Sequence, residues 1–420
     1  MKIFTPLYLS LLLSFSVVNG EEVDFPPILD ADDIAYFSEN HDIDGLHWAL
    51  SNVFHRSKRN TDASQIKFAN LPNSLVSRGG GDTYTTKYKL EMDIEQAKWL
   101  VDNHLLRDQE EEDFFVNTVI PTYEKVLNRI PDLDDLKKTE GLYAFDKIDY
   151  ENGIASVYNK ALHITDYDIM KDKRGNVLPL LSKKFDADCI ERQWNGDKSA
   201  ICKHNNKDTP KGQEGVVVID NILNDEALKR IRELLNASTV FYQTKMPLKF
   251  GGYVGAYIDD GLYDKILLQL AFELNKALPS IMEGHPLKYL WAYKYDSRYT
   301  GINTHADQAA VNVNIWITPD DANLKKECGG LIIFTAKPPH DWDFDRYNKD
   351  TEKVMKEILE PTGFANVTVP FRENRAVVFD SALFHHTDDY EFADGYENRR
   401  INLTILYGDM NLARKVNDEL

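Results

Sequence analysis

The chain of 420 residues holds only three cysteines, Cys189, Cys202 and Cys328. No CxxC pair occurs among them, so a thiolate zinc site or a thioredoxin-type redox centre lacks its ligands. Three thiols do not make a disulfide framework either. Cys189 and Cys202 bracket "IERQWNGDKSAI" and could close one loop in an oxidising compartment, leaving Cys328 over. Basic charge is scarce: 49 Lys and Arg stand against 68 Asp and Glu, a formal net charge of -19. Such a chain repels a phosphate backbone, so no nucleic-acid partner is expected. The compact basic run "HRSKRN" at 55–60 reads as a solvated loop. Beyond the first twenty residues no apolar run approaches membrane-spanning length, and no stable membrane insertion is expected.

What is present is an ordinary globular composition, 43% hydrophobic and 11% aromatic, with length enough for two domains and a sizeable core. Residues 1–20 have Lys2, an apolar run to Val18 and then acidic Glu21 and Glu22, the layout of a secretory signal peptide. The tail 411–420 ends in Asn417, Asp418, Glu419 and Leu420, one position away from the retention addresses of the endoplasmic reticulum. Together they favour a resident of that lumen, with secretion as the alternative. Asn236 and Asn366 head sequons that could carry glycans, whereas the sequon at Asn402 falls in an expected buried strand.

Residues 21–212 read as a mainly helical N-terminal region of unassigned role. Its first part, to 78, is acidic and irregular, and "RGGGD" at 78–82 punctuates it. From Asp93 to about Ile130 the spacing turns helical, with Ile94, Ala97, Leu100 and Val101 on one face, a second helix near Pro121, and helical segments to about 170. The polar "KHNNKDTPKGQEG" at 203–215 reads as a linker. The unit from 213 to 410 opens with the strand "VVVID", then a helix from Asp225 to about Leu235 capped by Asn224, and another from about Leu262 to Leu278. Seven or more short strands follow. This α+β pattern suggests a sheet sandwich or barrel braced by helices on one side.

The stretch "THADQAAVNVNIWIT", 304–318, sets His305 and Asp307 two positions apart, where an extended chain puts both side chains on one face. His-x-Asp alone is a weak signal, since His386-Thr387-Asp388 repeats it. Downstream, "RAVVFDSALFHHTDD" supplies His385 and His386, and "RRINLTILYG" supplies Arg399 and Arg400. Two histidines and one carboxylate from separate strands make the facial triad that holds Fe(II) with three positions open. In the last strand, alternation puts Arg400, Asn402 and Thr404 on one face and Ile401, Leu403 and Ile405 on the other. A buried Arg there needs an anion, and its planar fork suits a carboxylate. "DWDFDRYNKDTE" at 341–352 has calcium-loop acids but lacks the glycine, and reads instead as a long loop over the mouth of the site.

The blocks "YKYDSRYTGINTHADQAAVNVNIWITPDDANL", "ECGGLIIF", "NRAVVFDSALFHHTDDYEF" and "DGYENRRINLTILYG" resemble the catalytic domain of the 2-oxoglutarate and Fe(II)-dependent dioxygenases, near the prolyl 4-hydroxylase-like branch. The resemblance covers about half the chain. It implies a C-terminal double-stranded β-helix (jelly-roll) domain over 213–410, with Fe(II) on His305, Asp307 and His385. It implies further that Arg400 pairs with the 2-oxoglutarate co-substrate and Tyr295 contacts it. Asn312 and Asn314 could reach co-substrate or substrate, or simply staple one strand to the next. The pattern favours His385 over His386; between Arg399 and Arg400, alternation lets only one face the iron. Prolyl hydroxylases proper use Lys at that place, so proline is not implied as substrate. The implied reaction couples decarboxylation of 2-oxoglutarate to hydroxylation of a C–H bond by O2, with ascorbate as an accessory reductant and a protein or peptide as the expected partner. A non-catalytic β-helix binding module and a cupin-like metalloenzyme without 2-oxoglutarate are the competing readings. Oligomeric state is not legible.

Overall fold

The computed structural model describes residues 16–18, 21–23, 31–55, 82–339, 341–342 and 344–410. The leader apart from 16–18, the basic run beyond His55, the glycine stretch up to residue 81 and the tail 411–420 lie outside the described residues.

Ten strands build the C-terminal half: β1 (Val216–Ile219), β2 (Gln243–Thr244), β3 (Tyr253–Tyr257), β4 (Leu287–Tyr295), β5 (Val311–Trp316), β6 (Leu331–Phe334), β7 (Asn366–Val369), β8 (Ala376–Asp380), β9 (His385–Thr387) and β10 (Ile401–Tyr407). They form two antiparallel sheets, one in the order β1-β8-β5-β10-β4-β3-β2 and the other β7-β6-β9. Alternation sorts the side chains of the larger sheet. Val217, Ile219, Val313, Ile315, Val378, Ile401, Leu403 and Ile405 join the core on its outer side. Val216, Val218, Trp316, Val377 and Phe379 point inward and meet Leu331, Ile333 and Val369 of the smaller sheet. Both faces are therefore buried, as a sheet with helices behind it requires.

The covering helices are α1 (Ala31–Glu39), α2 (Ile43–His55), α3 (Lys87–Asp102), α4 (Asp225–Ala237) and α5 (Lys265–Ala277). Asn224 caps α4 by accepting from the Ala227 amide, and Asp264 caps α5 through Ile266. Each such cap satisfies an amide that has no partner inside the helix. Leu46, Leu50 and Phe54 recur four apart on α2 and enter the same outer core as α4 and α5. That spacing, hidden among acidic neighbours, makes a helix where an irregular stretch was expected. Helix α3 starts at Lys87 rather than Asp93 because Thr86 caps it through the Lys89 amide.

Helices do not continue to 170. Between Ile120–Leu127 and residue 170 only short helical turns form, the last at Ile154–Val157, and the next helix is Ala187–Trp194. The irregular segment between them gives its amides to side chains on and around α5: Tyr167 to Asp264 at 2.7 Å, Met170 to Gln269 at 2.9 Å, and Leu180 to Glu273 at 2.8 Å. Its polar backbone is thus paired without secondary structure of its own. The linker stretch is also held, since Asn206 and Thr209 both donate to the Asp220 carboxylate. Two strands, β2 and β3, arise between α4 and α5 where no element was expected, and the expected loop after 341 contains helix Phe344–Lys349 and the turns that follow it. No helix among the described residues is long and apolar enough to cross a membrane. Asn366 is exposed, but Asn236 is buried on α4, so the expectation of a glycan at Asn236 fails on access.

Cys189 and Cys202 are joined in a disulfide, and Cys328 is free. Two residues on, His204 is 1% exposed and neither ring nitrogen has a hydrogen-bond partner. Burial pushes its pKa down to about 4, against the opposing pull of Asp186 and Asp220. The folded pKa lies below the unfolded value, so the unfolded chain binds more protons between pH 6.5 and 4, and stability falls as the pH drops through that window. At pH 5 the loss through this group is about 2 kcal/mol. Urea unfolding at pH 7.5 and pH 5 should show a gap smaller by about that much in His204→Leu; equal gaps would refute the assignment.

Candidate metal centre

His305 and His385 face each other across a pair of backbone hydrogen bonds, His305 N to His385 O at 3.0 Å and His385 N to His305 O at 2.8 Å. This bridge extends the smaller sheet by one short rung. It sets the two imidazoles 4.2 Å apart, centroid to centroid. Asp307 enters from the same segment, anchored by its amide to the Ser381 carbonyl at 3.1 Å. One ligand atom from each of the three lies within 4.8 Å of the others, the one such group among the described residues.

The tautomers follow from the local backbone. Nδ1 of His305 lies 2.8 Å from the Asn303 carbonyl and Nδ1 of His385 lies 3.0 Å from the Leu383 carbonyl. Carbonyls only accept, so each Nδ1 carries the proton and each Nε2 presents a lone pair. Those Nε2 atoms stand 3.8 and 3.6 Å from the Asp307 oxygens, too far for good hydrogen bonds. Donors bound to one ion at about 2.1 Å sit roughly 3 to 4 Å from one another. The three side chains therefore fit a shared cation better than they satisfy each other. Burial lowers the pKa of His385 well below the ordinary imidazole value, with His305 adding to the effect. Burial likewise raises that of Asp307, against the pull of His305 and an amide from Asn312.

Asn312 donates to Asp307 Oδ2 at 2.7 Å, which places it behind the carboxylate, not open to a co-substrate. Asn314 donates to Asn312 Oδ1 at 2.5 Å, and Asn402 donates to Asn314 Oδ1 at 2.6 Å. The stapling role for these amides is the one the hydrogen bonds support.

Arg400 is 1% exposed. Its Nε donates to the Gly329 carbonyl at 2.7 Å and Nη2 to that of Gly330 at 3.2 Å, while the guanidinium lies 4.4 Å from the Tyr295 ring centroid. Nη1 has no partner, and neither does the buried indole N–H of Trp316, whose ring lies 6.0 Å from the same guanidinium. No carboxylate among the described residues forms an ion pair with Arg400. A buried cation and two unused donors are costly unless an anion completes them. Tyr295 is buried, which raises its pKa against the pull of the Arg400 charge. Gly330 cannot carry a side chain, since a Cβ there would fall 1.8 Å from the Val369 carbonyl.

The two pairs of neighbours separate cleanly. His386 turns outward and packs against Phe334. Arg399 binds Glu95 of α3 at 2.6 Å and Asp296 at 3.4 Å, tying the N-terminal helix to the sheet. Sequence reasoning missed Trp316, Tyr390 and the Gly329–Gly330 carbonyls around Arg400; "ECGGLIIF" carried a signal for the glycines only. It also missed an aromatic strip. Tyr289, Trp291 and Tyr293 precede Tyr295 on one face of β4, with Tyr253 and Tyr257 beside them on β3. Gly255 sits opposite Tyr293 in the register and leaves room for its ring.

No family model matches the chain, and no curated protein does. Among solved structures it is similar to a prolyl hydroxylase from Trichoplax adhaerens in complex with a hypoxia inducible factor peptide fragment. That match is at 14% identity and a TM-score of 0.34, over 54% of this chain and 91% of that one. It is similar to a Pseudomonas putida prolyl-4-hydroxylase at 14% identity and a TM-score of 0.29, over 46% and 92%. A third similar structure is HygX from Streptomyces hygroscopicus with nickel and 2-oxoglutarate bound, at 16% identity and 0.30, over 48% and 84%.

Proposed function

We propose that the chain is an Fe(II) and 2-oxoglutarate-dependent dioxygenase that hydroxylates a C–H bond. One observation carries the reading: a two-His, one-carboxylate cluster shares a sheet interior with a buried Arg whose remaining donor has no partner. His305, Asp307 and His385 would hold the iron, leaving open positions for co-substrate and O2. When bound, the metal would let O2 act as the oxidant, taking two electrons from 2-oxoglutarate, which leaves as succinate and CO2, and two from the C–H bond. The protein's own residues do the rest. Arg400 clamps the far carboxylate, the Gly329 and Gly330 carbonyls keep its fork in place, and the Tyr295 ring shields that ion pair from water. Asn312 fixes the orientation of Asp307.

The order of the two sheets supports a double-stranded β-helix over 213–410. The half-buried end of the aromatic strip, Tyr257, Tyr289 and Trp291, supports a protein or peptide substrate, because extended chains dock on such surfaces. The disulfide, the apolar leader and the Asn417–Leu420 tail support residence in the endoplasmic reticulum lumen. A cupin-like enzyme without 2-oxoglutarate has no use for the unfilled donor of Arg400, whereas a binding module that kept a carboxylate there would bind it without co-substrate decay.

Purified chain supplied with Fe(II), ascorbate, O2 and 2-oxoglutarate should form succinate, and none when the metal is chelated. Succinate formation that persists under chelation, or metal uptake without any co-substrate decay in the presence of candidate lumenal proteins, would overturn the reading.

A further inference from the structure

The chain between β6 and β7, residues 335–365, leaves the smaller sheet beside the segment that leads into the ligand-bearing β9 and returns to it on the opposite side of β6. Its stem is tied on both sides: Phe334 N donates to the Phe384 carbonyl at 2.8 Å, Phe384 N to Ala336 at 3.1 Å, and Thr335 N to Ala365 at 2.9 Å. Within it, Asn348 on helix Phe344–Lys349 makes a reciprocal pair of bonds. The Ala306 amide donates to Asn348 Oδ1 at 3.0 Å, and Asn348 Nδ2 donates to the Ala306 carbonyl at 3.0 Å. Ala306 is the residue between His305 and Asp307, and it is fully buried. The preceding residue, Tyr347, sets its ring edge-on to Phe384, 6.4 Å between centroids, immediately before His385. Trp342, Val354 and Leu359 complete a separate apolar cluster that contains both Ala306 and Phe384.

The geometry points to Asn348 as a positioning residue for the metal centre. It and Tyr347 are consecutive on one short helix and hold the two ligand segments from outside the sheet interior, one by a backbone clamp and one by packing. The Ala306 N–H lies in the peptide plane shared with His305 and its C=O in the plane shared with Asp307, so gripping both fixes the planes on either side of Ala306, and the His305 and Asp307 side chains that flank it keep their relative direction. An excursion that reads in sequence as a loop over the mouth thus acts as a brace. The inference rests on the iron-site reading, and its test separates the two.

Co(II) binding to full-length protein, followed by visible absorption and titration calorimetry, tests it. Support from outside the ligand sphere commonly contributes 10- to 100-fold in metal affinity. Asn348→Ala should weaken Co(II) binding by about tenfold and change the absorption envelope of the bound ion. Asn348→Asp keeps the acceptor for the Ala306 amide and should lose about threefold, about half the effect on a logarithmic scale. Tyr347→Phe, which keeps the ring on Phe384, should bind like wild type. Wild-type uptake with an unchanged Kd and spectrum in Asn348→Ala overturns this inference alone. If that variant does not fold, an unchanged Kd and spectrum in Asn348→Asp does the same. A wild-type chain that takes up no Co(II) overturns the iron-site reading as well.

Discussion

Replacing Asp307 with Asn should lower affinity for Fe(II), or for Co(II) as its surrogate, by more than about 100-fold, and succinate formation should vanish with it. Asp307 is the sole anion of the cluster, and without it two neutral imidazoles remain to bind a dication. The same change should make the metal-free protein more stable. In that state the carboxylate is desolvated, and burial holds its pKa above the usual range. The Asn amide carries no charge to desolvate. Calorimetric unfolding in chelator checks this sign. Weakened metal binding with a lowered metal-free midpoint would mean that Asp307 is chiefly a structural residue.

Arg400→Ala has the second large effect, on the co-substrate and not on the metal. Truncating one partner of a buried, hydrogen-bonded charge pair costs roughly 3 kcal/mol, about 100-fold in affinity. The apparent KM for 2-oxoglutarate should rise by that order, while the Co(II) Kd stays within about threefold. Arg400→Lys should fall between, because a single ammonium cannot hold the Gly329 and Gly330 carbonyls and a carboxylate in one plane. An Arg400→Ala enzyme with an unchanged KM would leave the guanidinium a role in packing against Tyr295 and Trp316 alone.

Much of this architecture was legible because strand alternation is a strict local rule. In "RRINLTILYG" it separates Arg400, Asn402 and Thr404 from Ile401, Leu403 and Ile405, and the folded chain keeps that division. The i, i+2 spacing of His305 and Asp307 was equally readable. What escaped depends on partners distant in sequence. Asn348 is forty-two residues from Ala306, and nothing about a polar residue in an acidic stretch announces a backbone clamp. Helix α2 was hidden because it lies in the acidic stretch 21–78 and its apolar positions alternate with His47, Ser51 and Asn52. The segment after 158 looked helical because apolar spacing says nothing of Asp264, Gln269 and Glu273, which take its amides from elsewhere. Asn312 was assigned by its inward face alone, and that face holds both ligands and the groups that orient them.

The row of amides behind Asp307 has a direction. A carboxylate can only accept, so Asn312 must turn its NH2 toward it; that exposes the Asn312 oxygen to Asn314, whose oxygen in turn faces Asn402. Three side-chain orientations are thus dictated from one end, like a line of arrows all aimed at a single negative charge. An Asp in place of Asn314 would set oxygen against oxygen at that step, one hydrogen bond removed from the carboxylate that would hold the iron.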